Sequence, residues 1–292
     1  MIYENSDTGG HPIMEIVHDS TCKSPTPTID HQHSISLKLF PRRTHLLLLF
    51  FALCIVVYYT KTNITTISVI VNVNSTIRSA LEQIPTCNSR DRPRQEVLLT
   101  TLYAWTQFAR EHNIQYWIAY GSLVGYVQRR GLLPHDGDTD ILMLSQDTRH
   151  LVPFADTNFS SIYELKVHPQ WHYIGYVGRS YYPAKGFNFI APNARFIHRK
   201  LRYHVDIWPI YDFRPDRPKD RKNVTTTLTE YNVSYKWISS PIEWTFPLTP
   251  CNFSSILVWC PAKPESIVAN LYGRSAVTKT NKKCVNQSWV SG

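Results

Sequence analysis

Three aspartates at alternate positions, Asp136, Asp138 and Asp140, run directly into the apolar stretch Ile141-Leu142-Met143-Leu144. On a strand, residues two apart point to the same face, so the three carboxylates would line one side of whatever this segment builds. Crowded carboxylates repel one another and raise each other's pKa. A hard divalent cation relieves that repulsion, because Mg²⁺ takes carboxylate oxygens together with substrate phosphates. A solvated acidic turn between two strands is the alternative, and a lone Asp-x-Asp does not decide between them. The approach to the aspartates favours a metal site. An apolar-aromatic run, Ile114 to Tyr120, leads to a small-residue turn, Gly121-Ser122, and then to Gly131-Leu132-Leu133-Pro134.

A further acidic residue falls in a second apolar stretch, His204-Val-Asp206-Ile-Trp-Pro-Ile-Tyr211. An aspartate between Val205 and Ile207 is costly to bury without a partner. It reads either as an edge position bonded to a neighbouring loop, or as a carboxylate on the same sheet facing Asp138 and Asp140.

The apolar run Leu46 to Tyr59 follows Arg42-Arg43. At ~1.5 Å per residue it is short for a ~30 Å hydrocarbon core, but tyrosine anchoring and the snorkelling of Lys61 extend its reach. The arginine pair orients the amino terminus to the cytosol. The rival, a cleaved signal peptide, lacks a small-x-small cleavage site after the run. The expected organisation is a disordered cytosolic tail over 1–45, a transmembrane signal anchor over 46–60, a luminal stem over 61–92 and a folded domain over 93–292. Thr62 to Asp91 has no clear amphipathic pattern, and an additional strand is the other reading of it.

Sequons agree with that topology. Asn158, Asn223, Asn232, Asn252 and Asn286 each open an Asn-x-Ser/Thr triplet beyond the apolar run, as do Asn63 and Asn74 nearer the membrane. Glycosylation would place the five distal sites on exposed loops of a secretory-pathway protein. Cys87, Cys251, Cys260 and Cys284 lie on the same side, an even number suited to one or two disulfides in an oxidising lumen. Cys251 and Cys260 flank a short apolar stretch and are the preferred pair. A zinc site is the less favoured reading, because no tight Cys-x-x-Cys spacing occurs.

The net charge of +9 does not come from the tail, where residues 1–45 hold 4 Lys/Arg against 5 Asp/Glu. A basic folded part suits a phosphate-bearing substrate or an acidic membrane surface. Neither a Lys/Arg-rich helix nor an aromatic RNA-binding signature accompanies the charge, so no nucleic-acid partner is expected. Pro93 to His112 reads as an amphipathic helix with Leu98, Leu102, Trp105 and Ala109 on one face. Leu123 to Arg130 reads as a short helix and Asp138 to Leu144 as a strand. Strand-like patterns cover Tyr173 to Val177, Phe187 to Ala191, Ala194 to His198 and Tyr203 to Tyr211. Lys263 to Gly273 is a helix with Pro at its start and Gly at its stop. The basic tail that follows, with Arg274, Lys279, Lys282 and Lys283, reads as a solvated terminus, contact with an anionic substrate being the other reading.

Taken together these segments resemble the LicD nucleotidyltransferase-like family, which includes bacterial phosphocholine transferases, fukutin and the fukutin-related protein. The resemblance rests on Gly121-Ser-Leu-Val-Gly125, Gly131-Leu-Leu-Pro-His135, Asp136-Gly-Asp138-Thr-Asp140, His204-Val-Asp206-Ile-Trp208-Pro209 and the closing Tyr272-Gly273. It departs from the family pattern at Gln128, where bacterial members usually carry Arg, and at His135 in place of Trp. The resemblance implies a polymerase-β-like α/β (α+β) fold, a mixed sheet with flanking helices. It implies that Asp138, Asp140 and Asp206 hold Mg²⁺ or Mn²⁺, that Asp206 completes the site or acts as base, and that Asp136 orients a metal-bound water. Gly121 and Ser122 would approach the donor phosphates, and Arg129 and Arg130 would neutralise a diphosphate. The implied reaction moves a phospho-alcohol, such as phosphocholine or ribitol phosphate, from a CDP-linked donor to a glycan or glycoprotein at the Golgi or endoplasmic reticulum membrane. An Asp-x-Asp nucleotide-sugar glycosyltransferase and an inactive luminal binding protein are the alternatives.

Overall fold

The computed structural model describes residues 50–58, 75–182, 187–216, 226–232 and 234–292. The chain divides into two units, 1–59 and 60–292. In the first, residues 50–58 are helical and exposed. No helix among the described residues is long and apolar enough to cross a membrane. The expected anchor runs on both sides of this helix into residues outside the described ones, as do the expected tail and the sequons at Asn63, Asn74 and Asn223.

In the second unit a helix over residues 75–82 (α1) precedes Asp91–Glu111 (α2), Tyr120–Arg129 (α3) and Pro264–Tyr272 (α4). Five strands form one sheet: β1 (Trp117–Ile118), β2 (Thr139–Leu144), β3 (Tyr163–Val167), β4 (Ala194–His198) and β5 (His204–Ile210), in the order β1-β2-β5-β4-β3. Only the β2–β5 pair is parallel, so the sheet is mixed, with helices packed against it as expected. Three two-stranded ribbons follow: β6–β7 (Thr227–Tyr231 with Trp237–Pro241), β8–β9 (Thr249–Phe253 with Ile256–Cys260) and β10–β11 (Lys282–Val285 with Ser288–Ser291).

Helix α2 supplies the largest share of the core. Leu98, Leu99, Leu102, Trp105, Phe108 and Ala109 recur at three- and four-residue spacing and are all buried, Trp105 between the rings of Tyr116 and Phe196. Its entry is held by Asp91, whose Oδ2 accepts the backbone N–H of Cys87 and Asn88 and the indole N–H of Trp289. Burial opposes the charge on Asp91, yet these donors and Arg94 outweigh it and hold the carboxyl below its usual range.

Several segments differ from their sequence reading. Residues 75–82, assigned to a stem, form a helix whose Ile77, Ala80 and Leu81 are buried in the core. Tyr173–Val177 and Phe187–Ala191 are not strands. The reason is Arg179, which is 7% exposed and gathers the backbone oxygens of Trp171, Tyr173, Ile190, Ala191 and Pro192 at 3.2–3.3 Å. Successive carbonyls alternate in direction along a strand, so Ile190, Ala191 and Pro192 cannot keep that alternation while all three face one guanidinium, and the carbonyl dipoles with Asn193 Oδ1 stand in for a carboxylate partner. The basic tail is likewise ordered, as the β10–β11 ribbon. Cys251 pairs with Cys260 as expected, across the β8–β9 ribbon, and Cys87 pairs with Cys284.

Because Arg179 donates to five backbone oxygens that are buried or partly buried, Arg179→Leu is expected to cost about 3 kcal/mol of unfolding free energy, several times a typical surface substitution. Urea unfolding of the two proteins would measure it; a loss under about 0.5 kcal/mol would remove Arg179 from this role.

Candidate metal centre

The parallel register of β2 and β5 sets Asp140 beside Asp206 and Leu142 beside Trp208. Asp138 lies just ahead of β2, and His204 opens β5. The result is a cluster in which one ligand atom each from Asp138, His204 and Asp206 lies within 4.8 Å of the others. Nδ1 of His204 lies 3.2 Å from the Arg202 carbonyl oxygen, and its Nε2 lies 3.4 Å from Asp206 Oδ1. With Nδ1–H donating to that carbonyl, the Nε2 lone pair faces the carboxylates, the arrangement usual for a metal-binding imidazole.

Asp138 and Asp206, two of the three expected ligands, fall in this cluster. The third, Asp140, stands beside Asp206 in the register and its Oδ1 accepts the indole N–H of Trp208 at 3.0 Å, while His204 completes the convergent trio. His204 was passed over because a lone histidine at a strand end carries no signal until the partner strand is known. Arg195 was missed for the same reason. It lies on β4 opposite Asp206, and its Nε and Nη2 grip both oxygens of that carboxylate, the second at 3.3 Å. Its guanidinium is steadied by Asn188 Oδ1 and by the Phe189 ring. Each carboxylate oxygen has a second lone pair left for a cation.

Burial, and then the neighbouring Asp206, push the Asp138 carboxyl up, against the pull of His204 and Arg195. Asp140 is pushed up strongly by burial and by Asp138, Asp206 and Asp136. Burial and Asp138 raise Asp136 to about 7, although Arg94 and Lys282 oppose them. Acids held in this state are ones a divalent cation would restore to carboxylates. Two carboxylates, an imidazole and further acidic oxygens nearby fit Mg²⁺ or Mn²⁺, with the imidazole weighing toward Mn²⁺.

Helix α3 begins at this cluster. Tyr120 adopts φ +41°, an unusual conformation for a bulky residue, with its ring buried against Trp208 at 5.4 Å. The bend carries Gly121 onto the acids. A Cβ there would sit 3.3 Å from Asp136 Oδ2 and 3.4 Å from Asp140 Oδ2, so glycine allows the closest backbone approach. Ser122 does not face the cluster as expected: it is 1% exposed and its Oγ accepts the Asp140 N–H at 2.9 Å. It fixes β2 rather than meeting a substrate. Arg129 and Arg130 are also displaced from their expected place. They close the far end of α3, about 15 Å from its start at ~1.5 Å per residue, where Arg129 bonds the Gln83 carbonyl and Arg130 stacks on Tyr126.

One acid nearby had no counterpart in the sequence reading. Glu230, on β6, is 3% exposed, and its Oε2 has no hydrogen-bond partner among the described residues. Burial pushes it up to about 8, offset in part by the Tyr120 hydroxyl. Burial and then Glu230 in turn raise Tyr120. The two groups underlie the α3 entry.

Residues 113–263, just over half of the chain, match the family model described as LicD/FKTN/FKRP, nucleotidyltransferase domain. The chain belongs to this family. A stretch of 41 residues is 44% identical to an uncharacterised protein of Rickettsia prowazekii (strain Madrid E), covering 14% of this chain and 15% of that protein. The match to that relative thus spans a small part of its length. Membership supports a transferase of the LicD type.

The pH dependence of Glu230 can be worked out from its raised carboxyl. Below its ordinary value of 4.5 the group is protonated folded or unfolded, so it costs nothing. As pH climbs toward about 8 the unfolded chain ionises it while the fold keeps it neutral, and stability falls. Glu230→Gln is therefore expected to raise the melting temperature at pH 7.5, by a few kcal/mol of equivalent stability, and to leave it unchanged near pH 4. Thermal unfolding across pH 4–9 reads the difference; parallel curves would show that Glu230 does not carry it.

Proposed function

We propose that this protein transfers a phospho-alcohol, of the phosphocholine or ribitol phosphate type, from a CDP-linked donor to a glycan, with release of CMP, using Mg²⁺ or Mn²⁺. The observation that carries the reading is the convergence of Asp138, His204 and Asp206 from two strands, beside a helix start that glycine brings against the acids. Asp138, His204 and Asp206 would hold the cation, which supplies charge neutralisation for the transferring phosphoryl group and the leaving nucleotide. Asp140 and Trp208 keep β2 and β5 in the register that the trio needs. Arg195 orients the Asp206 carboxylate. Gly121 opens space for a phosphate at the first turn of α3, where backbone N–H groups point outward. Positioning and electrostatics account for most of the rate in such transfers.

The surroundings support a secretory-pathway setting, with the folded body in the lumen of the Golgi or endoplasmic reticulum behind a single-pass type II anchor over 46–60. Two disulfides suit an oxidising compartment. Asn158, Asn252 and Asn286 are exposed, as acceptors of N-linked glycans must be; Asn232 is half-buried. The glycosyltransferase alternative shares this setting and the metal, but requires a nucleotide-sugar donor.

A panel of CDP-linked donors and nucleotide sugars, offered to the purified protein with and without Mg²⁺ or Mn²⁺, separates the readings. CMP release from a CDP-linked donor is expected; release of UDP or GDP alone would overturn the proposal. Asp138→Asn is expected to lower metal-dependent transfer by more than about a hundredfold with the fold intact by circular dichroism, and His204→Ala to weaken Mn²⁺ binding by about ten- to a hundredfold. Full activity of Asp138→Asn would end the metal assignment.

A further inference from the structure

Beside Asp136 and Gly121 lies a cavity of about 440 Å³. One side is α3 and the aspartate segment, through Gly121, Gln128 and Asp136. The other is the end of α4 and the segment after it, through Tyr272, Lys279 and Asn281. Residues past 263 lie beyond the family-matched stretch, and those past Gly273 also lie beyond the motifs that carry the resemblance. Much of this side of the cavity is thus built by residues outside the domain that the family shares.

That wall is fastened to the rest by several independent ties. Gln128 Nε2 donates to the backbone oxygens of Ala276 and Lys279, both at 2.8 Å. Cys284 is bonded to Cys87. Trp289 donates to Asp91 at 3.0 Å, and its ring lies 5.8 Å from that of His135. Asn88 donates to the Gln287 carbonyl at 3.2 Å. A two-stranded ribbon such as β10–β11 is marginal by itself, so these ties are what hold it in place. Gln128 and His135 are also the two positions at which the sequence departs from the pattern it otherwise resembles, and both engage this wall.

The wall has one sign of charge. Residues 274–292 contain Arg274, Lys279, Lys282 and Lys283 and no acid. Lys279 lines the cavity, and Lys282 opens the β10–β11 ribbon three residues further on. An anion seated between a cation at the acid trio and these lysines would be neutralised from both sides, which is the requirement of a diphosphate.

We propose that residues 275–292 form the donor-binding wall of the site, in which Lys279 and Lys282 bind the phosphates of the nucleotide-linked donor on the side away from the cation. The proposal rests on the donor reading above and extends it to residues that the shared domain does not supply. Lys279 and Lys282 are binding residues here, and neither is a metal ligand. Gln128 is a positioning residue that sets where Lys279 stands.

The test uses the full chain, with CDP as the probe and Mn²⁺ present, by isothermal titration calorimetry. Lys279→Ala with Lys282→Ala is expected to weaken CDP binding by about tenfold or more, to flatten its salt dependence, and to leave Mn²⁺ binding without nucleotide within about twofold. The Lys279→Arg, Lys282→Arg pair is expected to recover most of the affinity, which a purely structural role would not predict. Neither lysine is in the core, Lys279 being exposed and Lys282 half-buried at the start of β10, so unchanged melting temperatures should accompany the loss. If the double alanine protein binds CDP as tightly as the unaltered protein, the wall proposal fails by itself. If the unaltered protein binds Mn²⁺ and not CDP, the donor reading fails and takes this proposal with it.

Discussion

The site depends on a single pairing, the parallel alignment of β2 with β5. Among the described residues it is the only parallel contact in the sheet, and it sets acid beside acid, Asp140 with Asp206. Side chains alternate across a strand, so a slip of one residue would send Asp206 and Trp208 to the opposite face and bring Val205 and Ile207 to the site. Apolar neighbours prevent the slip: Ile141, Met143, Val205 and Ile207 are all fully buried. The core and the chemistry are therefore specified by the same register, one on each face. The Trp208–Asp140 hydrogen bond ties the two strands together on the acidic face.

Acids crowded in this way are unfavourable in isolation, and the surroundings share the burden unevenly. Asp206 is gripped by Arg195, Asp140 by Trp208, and Asp136 feels Arg94 and Lys282. Asp138 is opposed by burial and by Asp206, and is eased by His204 and Arg195. The unusual Tyr120 backbone and the buried Glu230, whose carboxyl burial pushes up, belong together: the helix start is bent toward the acids beside buried groups.

Much of this was legible from residue order, and the boundary of legibility is physical. Helix α2 was expected over Pro93–His112 and found over Asp91–Glu111, because its apolar spacing and early proline are local signals. β4 was bounded by the same residues as expected, and α4 lies between its proline and its glycine. Asp138 and Asp206 were brought onto one site by reading acids inside apolar strands. His204 and Arg195 were not, since their value comes from strand neighbours that no local pattern specifies. Ser122, Arg129 and Arg130 were assigned to substrate by motif position, whereas helix geometry puts the serine inward and the arginines a full helix length away. The two false strands before residue 192 have the right composition for a sheet, but their carbonyls answer to Arg179. The last ribbon read as a solvated basic tail because its order comes from contacts with Cys87, Asn88 and Asp91, far away along the chain.

The Cys87–Cys284 bond also has a topological consequence. Its partners are 197 residues apart and lie on either side of the family-matched stretch. The backbone between them is thereby a covalently closed ring that encloses the acid trio, α3 and the cavity. A single cut by a protease anywhere in that ring would open it without parting the two pieces, so a nicked molecule would travel as one species until the bond is reduced, and both halves of the site would stay tethered at the high effective concentration of a single chain.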